Sequence, residues 1–342
     1  MHHWLVPQLE AVFDPGFIHH SYSNRAGKGT HAAVEQLQAY VREVHSGQGG
    51  GWYLQLDISN FFNSIHRTRL WAILKERMVR AGVAVPAQRA AHALLRSSPT
   101  AAGVVHRSTP AERAQVPQHK RLEHAAKDCG LPIGNLSSQF LANVYLDVLD
   151  QHVKRVLRVP RYLRYVDDFV LVHRDRAQLE AWLAEIRTFL RTRLQLELKA
   201  DIKLRPLSAG IDFLGYVVFP SHTRVRPRVV AHAREKLQMW ENHHVRGRSV
   251  RATPADFRHA RSLLASYYGH FGHANSFRLR QQLHHRFPWM AALNRQFDHR
   301  LEGQHVTINL GEGPSTSRAQ RRWTSCAAWA YARFRGATAT QS

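Results

Sequence analysis

The sequence is short of cysteine, of acid and of long apolar runs. Its 342 residues include two cysteines, Cys129 and Cys326, too few for a disulfide framework and too isolated for a thiolate zinc site. A reducing, cytoplasmic compartment fits that usage. Apolar stretches stop short of the roughly 20 residues a membrane span needs. The start, Met1-His2-His3-Trp4, lacks the apolar segment of a signal peptide, so no membrane is expected among the partners. Asp and Glu total 25 against 48 Lys and Arg, a net charge of +23 with 24 histidines counted as neutral. Like charges repel in a compact state, so the imbalance points to a polyanionic partner, nucleic acid first. An Arg-rich genome composition or an anionic membrane surface would leave the same imbalance.

Apolar residues at 44% and aromatics at 10% can fill a substantial core. The length suits two domains, or one elaborated domain with an appendage. A turn at Asp14-Pro15-Gly16 and a basic turn at Asn24–Gly29 precede a helix with Thr30 as candidate N-cap and Val34, Leu37, Val41 and Val44 on one face. Trp52–Leu56 reads as a strand that carries Asp57 at its end. Helix is expected over 67–96 with a break at Gly82 or Pro86, a polar loop insertion over 97–128, and a helix from about 135 to Leu157. Two β-rich runs, Tyr162–Val166 and Phe169–Val172, flank Asp167-Asp168. Then follow a helix over 177–193, strands over 196–204 and 211–219, and basic helical sequence from Pro227. Within it, Thr253-Pro254-Ala255-Asp256 marks a helix start and Gly269 a stop. Strands and helices alternate without a strict repeat, which predicts an α+β fold.

Adjacent carboxylates on a hairpin turn repel, so a cation or a special hydrogen-bond set must compensate. If the strand ending in Asp57 lies beside that hairpin, three carboxylates meet at one sheet edge. Hard oxygen ligands suit Mg²⁺, and two such ions about 4 Å apart can activate a 3′-oxygen and stabilise leaving pyrophosphate. A merely solvated Asp-Asp turn is the plain alternative.

Tyr165-Val166-Asp167-Asp168 resembles the signature box of reverse transcriptases, and Leu54–Phe62 resembles their first carboxylate motif. Leu131–Gln139 is similar to the template- and nucleotide-contacting motif between them. Ile211–Tyr216 is similar to the primer-grip hairpin, and Ser266–Phe271 to a thumb segment. The first four stand in the family's order over residues 25–220, and the thumb-like segment follows them. Ile133 and Gln139 draw the resemblance toward bacterial diversity-generating retroelement enzymes, whose altered motif accompanies error-prone copying opposite template adenine. Related phage-defence enzymes share parts of it.

The resemblance implies a right-hand polymerase: partial fingers over 1–50, a palm over 51–220, a helical thumb over 227–290 and a basic tail over 291–342. It implies that Asp57, Asp167 and Asp168, with the Ile58 carbonyl, hold two Mg²⁺ ions, for which Mn²⁺ can substitute. Phe62, five residues after Asp57, would lie beneath the sugar and select dNTPs; core packing is its other reading. Ile133, Gly134, Ser137 and Gln139 would meet nucleotide or template, although Ser137 and Ser138 also suit a helix cap and Gln139 a solvent-facing position. Lys199 or Lys203 would protonate leaving pyrophosphate. Phe213, Leu214 and Gly215 would place the primer end, or fill a plain core strand. Relatives carry basic fingers motifs upstream of the segment that Met1–Thr30 resembles, and Arg25 and Lys28 are the candidate phosphate contacts here.

Lys120-Arg121, Lys154-Arg155, Arg224–Arg228 and the Arg246–Arg261 region are expected to line a groove for phosphates. The paired histidines (His19-His20, His243-His244, His284-His285) lack metal-ligand spacing. By resemblance the partners are template RNA, a DNA primer, dNTPs and a small basic helical accessory protein. A catalytically silent RNA-binding scaffold and a template-independent DNA-synthesising defence protein are the competing readings.

Overall fold

A computed structural model describes residues 1–46, 50–97, 107–295 and 303–310. The chain divides into two compact units, Met1–Ile211 and Asp212–Ser342.

The first unit runs α1 (His2–Phe13), α2 (Thr30–His45), β1 (Trp52–Asp57), α3 (Phe61–Ser64), α4 (Arg67–Arg80), α5 (Val85–Arg96), α6 (Pro110–Ala114) and α7 (Leu136–Gln151). It continues with β2 (Tyr162–Tyr165), β3 (Asp168–His173), α8 (Arg176–Phe189) and β4 (Lys203–Pro206). The strands form one antiparallel sheet in the order β2-β3-β1-β4. Side chains alternate across a strand, so Leu54 and Leu56 of β1 and Phe169 and Leu171 of β3 leave on one face. There they join Leu141, Tyr145 and Leu149 of α7, Leu179 and Ile186 of α8, and Leu5, Leu9 and Phe13 of α1 in a single core. Each such buried side chain contributes about 1.5–3 kcal/mol. Helix α2 packs on β2 and β3. The free edge of β2 is covered by residues 20–22: the Arg164 amide donates to the His20 carbonyl at 2.9 Å and the Tyr22 amide to the Arg164 carbonyl at 3.0 Å, which removes an open strand edge.

From the boundary onward, β5 (Ile211–Phe213), β6 (Tyr216–Val218) and β7 (Thr223–Val225) form one sheet. The second unit goes on through α9 (Pro227–His244), β8 (Val245–Arg246), β9 (Ser249–Ala252), α10 (Pro254–Phe271), α11 (Phe277–Arg286) and β10 (Val306–Asn309). Its core stacks Trp240 on Trp289, ring centroids 4.1 Å apart, among Leu237, Phe257, Phe271 and Leu283. Helix α10 starts as its sequence signals: Thr253 and Asp256 form a reciprocal capping box with Pro254 in the first turn.

Several local expectations need correction. Residues 2–13 are helical because Leu5, Val6, Leu9 and Phe13 recur on one buried stripe. Gly29, in an extended positive-φ conformation, is the N-cap of α2, and Thr30 begins the helix and makes no cap bond. The strand expected over 196–204 shrinks to β4. Leu196 enters the core, Leu198 makes one bridge to Ile58, and a tight turn closed by Ile202 N–H on the Ala200 carbonyl interrupts the ladder. The strand expected over 211–219 is a hairpin, because Leu214 and Gly215 both take positive φ. Gly269 does not stop α10. Interior glycine costs a helix about 1 kcal/mol, which burial of Phe271 in the core outweighs. The 97–128 insertion holds α6 with its own Thr109–Glu112 capping box, residues 98–106 lying outside the described ones. Residues 306–309 of the expected tail pair with β9, and the part after Pro314 lies outside the described residues.

Candidate active site

Strand β1 is aromatic and leucine-rich and pairs on both sides, and the antiparallel register sets Asp57 opposite Asp168. Tyr165 pairs with Asp168 across the β2–β3 hairpin, so Val166 and Asp167 are the whole turn. Val166 takes φ 54, a conformation that costs a β-branched residue on the order of 1–3 kcal/mol. The hairpin therefore puts Asp167 on the tip and Asp168 on the ladder, both beside Asp57.

The carboxylates are held differently. Gln55 shares a face with Asp57 by the two-residue alternation, and its amide donates to both oxygens of Asp168, at 3.2 and 3.3 Å. Lys199 Nζ reaches Asp57 Oδ2 at 2.5 Å. The other oxygen, Asp57 Oδ1, is buried without a hydrogen-bond partner, an arrangement that is costly unless a cation or donor meets it. Burial, and then the charge of Asp57, push the Asp167 carboxyl up to about 6. Asp168 is pushed up to about 7, by burial first, then by Asp57 and Asp167, against the opposing Gln55 hydrogen bond. Lys199 is held above its usual value, chiefly by the hydrogen bond to Asp57. Among the described residues no three His, Cys, Asp or Glu side chains close into a ready-made metal cage. Asp57, Asp167 and Asp168 nevertheless form a mutually repelling set of hard oxygen donors with one orphaned oxygen, and that donor set fits a divalent cation.

The two lysine candidates separate. Lys199 N–H donates to the Asp57 carbonyl at 2.8 Å, fixing Lys199 at the carboxylates. Lys203 pairs with Gln55 in β4 and its Nζ lies 3.9 Å from Asp201. Ile58 continues the same strand end with its side chain buried.

Phe62 is half-buried against the core, and its carbonyl accepts from Leu131 N–H at 2.8 Å, so the segments around Asp57 and Gly134 meet. Gly134 has φ 100 with open space where a Cβ would stand. Ile133 is 72% exposed, and Gln139 is half-buried in the first turn of α7. Ser137 departs from expectation: it is buried, and its hydroxyl sits 2.7 Å from His2 Nδ1. Ser138 is buried too, and neither caps α7, whose N-cap is Asn135. Arg25 also departs from its expected phosphate role, because Asp14 and the Ile18 and Ser21 carbonyls consume its donors. Lys154 is likewise turned onto the Val159 and Pro160 carbonyls. Phe213, Leu214 and Gly215 lie in the second unit, at the β5–β6 hairpin. Phe213 is buried there, and Leu214 and Gly215 make the turn. Sequence reasoning missed Gln55, although its position two residues before Asp57 was signal enough. It also missed Arg164 and Asp150, a buried ion pair on the opposite face.

The family described as "Reverse transcriptase (RNA-dependent DNA polymerase)" matches residues 1–218. The chain belongs to the reverse transcriptase family. That match takes in Asp57, Asp167 and Asp168, and the mixed sheet-and-helix architecture is the fold of a reverse transcriptase. Protein YkfC of Escherichia coli (strain K12) is 24% identical over 253 residues, covering 64% of this chain and 60% of that protein. The chain thus spans about 60% of the curated relative it matches. Two solved structures are similar over 69% of the chain, both telomerases in complex with a fragment of telomeric RNA. The one from Candida albicans has 12% identity, a TM-score of 0.41 and 42% of its chain covered. The one from Candida tropicalis has 10% identity, a TM-score of 0.42 and 40% covered.

Proposed function

We propose that this reverse transcriptase family member is an RNA-directed DNA polymerase of a bacterial retroelement, adding dNTPs to a primer 3′-OH on an RNA template. The observation that carries the reading is Asp57 in register with Asp168, Asp167 on the adjoining turn, and a buried Asp57 oxygen left unpartnered. Asp57, Asp167 and Asp168 would hold two Mg²⁺ or Mn²⁺ ions, which when bound supply an activated 3′-oxygen and charge neutralisation at the leaving pyrophosphate. The chain's own groups do the rest. Gln55 orients Asp168 through its amide. Lys199 Nζ, charged and beside Asp57, carries a proton within reach of the carboxylate cluster and is the better-placed donor to departing pyrophosphate. Phe62, half-buried five residues after Asp57, would supply a ring for the floor of the sugar site. Gly134 leaves room for backbone to approach a nucleotide or template.

Exposed Ile133 beside Gly134 supports the narrower assignment to enzymes of the diversity-generating kind, error-prone opposite adenine. A basic accessory protein and a cytoplasmic setting belong to the same proposal, as does a division into partial fingers, palm and thumb. The test is incorporation of labelled dNTP on an RNA template with an annealed DNA primer in Mg²⁺, against Asp167→Asn. Template-dependent extension lost in Asp167→Asn supports the polymerase. Extension that ignores the template favours the defence-type enzyme, and salt-sensitive RNA binding without extension favours the scaffold.

A further inference from the structure

Behind the carboxylate turn, on the other face of the sheet, lies a side-chain network that the polymerase reading does not use. Arg164 is 1% and Asp150 0% exposed. Arg164 Nε lies 2.9 and 3.0 Å from the two Asp150 oxygens, and Nη2 lies 2.7 Å from Oδ2. Tyr162 Oη donates to Asp150 at 2.6 Å. That leaves Nη1, which donates to Asn143 Oδ1 at 3.1 Å and to the Val166 carbonyl at 2.8 Å. Asn143 is itself tied to the Ser23 carbonyl at 2.8 Å. The backbone of Arg164 is fixed as well, by residues 20–22 on the strand edge.

A buried ion pair is poor value as stability alone, since apolar residues of the same volume often serve as well. Its use here lies in geometry. The Val166 carbonyl belongs to the planar peptide whose other half is the Asp167 amide, so holding that oxygen sets the plane from which Asp167 departs. Val166 is also the turn residue in the unfavourable left-handed region. A strained residue persists only where its surroundings over-determine it.

We propose that Arg164 is a positioning residue for the carboxylate turn. Its guanidinium, aligned by Asp150 and Asn143, clamps the Val166 carbonyl and thereby fixes where the Asp167 carboxylate stands. This rests on the polymerase reading for its purpose, though not for its geometry. A guanidinium is required because one planar fork must satisfy a carboxylate and a carbonyl at once. A lysine ammonium can keep the charge pair but cannot span both in that plane.

The test uses the full chain, Arg164→Lys, and two readouts that need no turnover: amide hydrogen exchange by mass spectrometry, and Mn²⁺ binding by electron paramagnetic resonance. Exchange is expected to quicken at least tenfold in the peptide holding Val166 and Asp167, with the peptides of α7 and β1 unchanged. Mn²⁺ affinity is expected to fall about tenfold, corresponding to about 1.4 kcal/mol. Asn143→Ala keeps the ion pair, loosens Nη1 and releases the Ser23 carbonyl, so at the turn it gives the same local change at smaller amplitude and serves if Arg164→Lys does not fold. Unchanged exchange at the turn in the folded variants, or protection lost evenly through the first unit, would overturn the proposal. Absence of Mn²⁺ binding in the unaltered chain would instead count against the polymerase reading, while the exchange arm still decides the role of Arg164.

Discussion

Lys199 Nζ and Asp57 Oδ2 form an ion pair at 2.5 Å, and the Lys199 amide also donates to the Asp57 carbonyl. A cation therefore already stands at the carboxylates, and a divalent ion must share Asp57 with it or displace it. Lys199→Gln removes that competitor. Mn²⁺ affinity is expected to rise by about threefold to tenfold, read by titration against the resonance signal of the free ion. Both side chains are more than a third exposed, so metal-free stability should hardly change. Weaker Mn²⁺ binding in the variant would show that Lys199 supports the metal site instead of opposing it.

Asp168 is half-buried beside two other carboxylates, which makes its charge unwelcome until a cation arrives. Asp168→Asn keeps the shape and one acceptor for the Gln55 amide. The expected outcome is loss of dNTP incorporation together with a metal-free melting temperature raised by about 2–4 °C, the exchange of stability for function common at active sites. A variant that melts lower than the unaltered chain without metal would contradict this.

Asp147 gives the first unit a pH dependence away from the site. It is 7% exposed on α7, and its carboxyl is pushed up to about 6 by burial first and by Asp150 second, against Gln151, Arg164 and Arg77. Because its folded value exceeds the unfolded one, the native state binds the extra proton. The stability this provides is full below about 4, and it is lost as pH rises through about 6. Asp147→Asn cannot ionise. Melting curves at pH 5 and pH 8 should differ less in the variant, which should melt higher than the unaltered chain at pH 8. An identical pH slope in both proteins would show that Asp147 is not the source.

Much of this was legible because the relevant signals are local. Aromatic and apolar composition with glycines at the boundary marked Trp52–Leu56 as a strand, and the β-rich runs on either side of Asp167-Asp168 marked a strand–turn–strand. Which strand lies beside which is not local: resemblance supplied that Asp57 meets Asp168, and spacing alone did not. That Lys199, and not Lys203, is held against Asp57 follows from the Ile58–Leu198 bridge, a tertiary contact, and from the turn at Ala200–Ile202 that offsets the strand after it. Arg164 was invisible for another reason. An arginine in a strand reads as a solvent-facing residue, and its burial depends on Asp150 arriving from a separate helix.

Two glycines with positive φ distinguish backbone strain from lost space. Gly215, φ 89, has a neighbour where a side chain would go: an added Cβ would stand 3.0 Å from His270 Cε1 and 3.9 Å from Val229. Gly134, φ 100, faces nothing within 4 Å. Alanine at either position pays the left-handed penalty, of order 1 kcal/mol, and only at Gly215 does it also crowd a ring that stacks on Tyr216. Gly215→Ala should therefore lower the melting temperature more than Gly134→Ala. The order reverses for function under the polymerase reading, because the open space at Gly134 is where nucleotide or template backbone would pass. Gly134→Ala should raise the apparent KM for dNTP or weaken template binding about tenfold or more, with little change in folding. Equal stability losses with unchanged KM would mean that Gly134 serves its turn alone, and that the empty volume beside it receives no ligand.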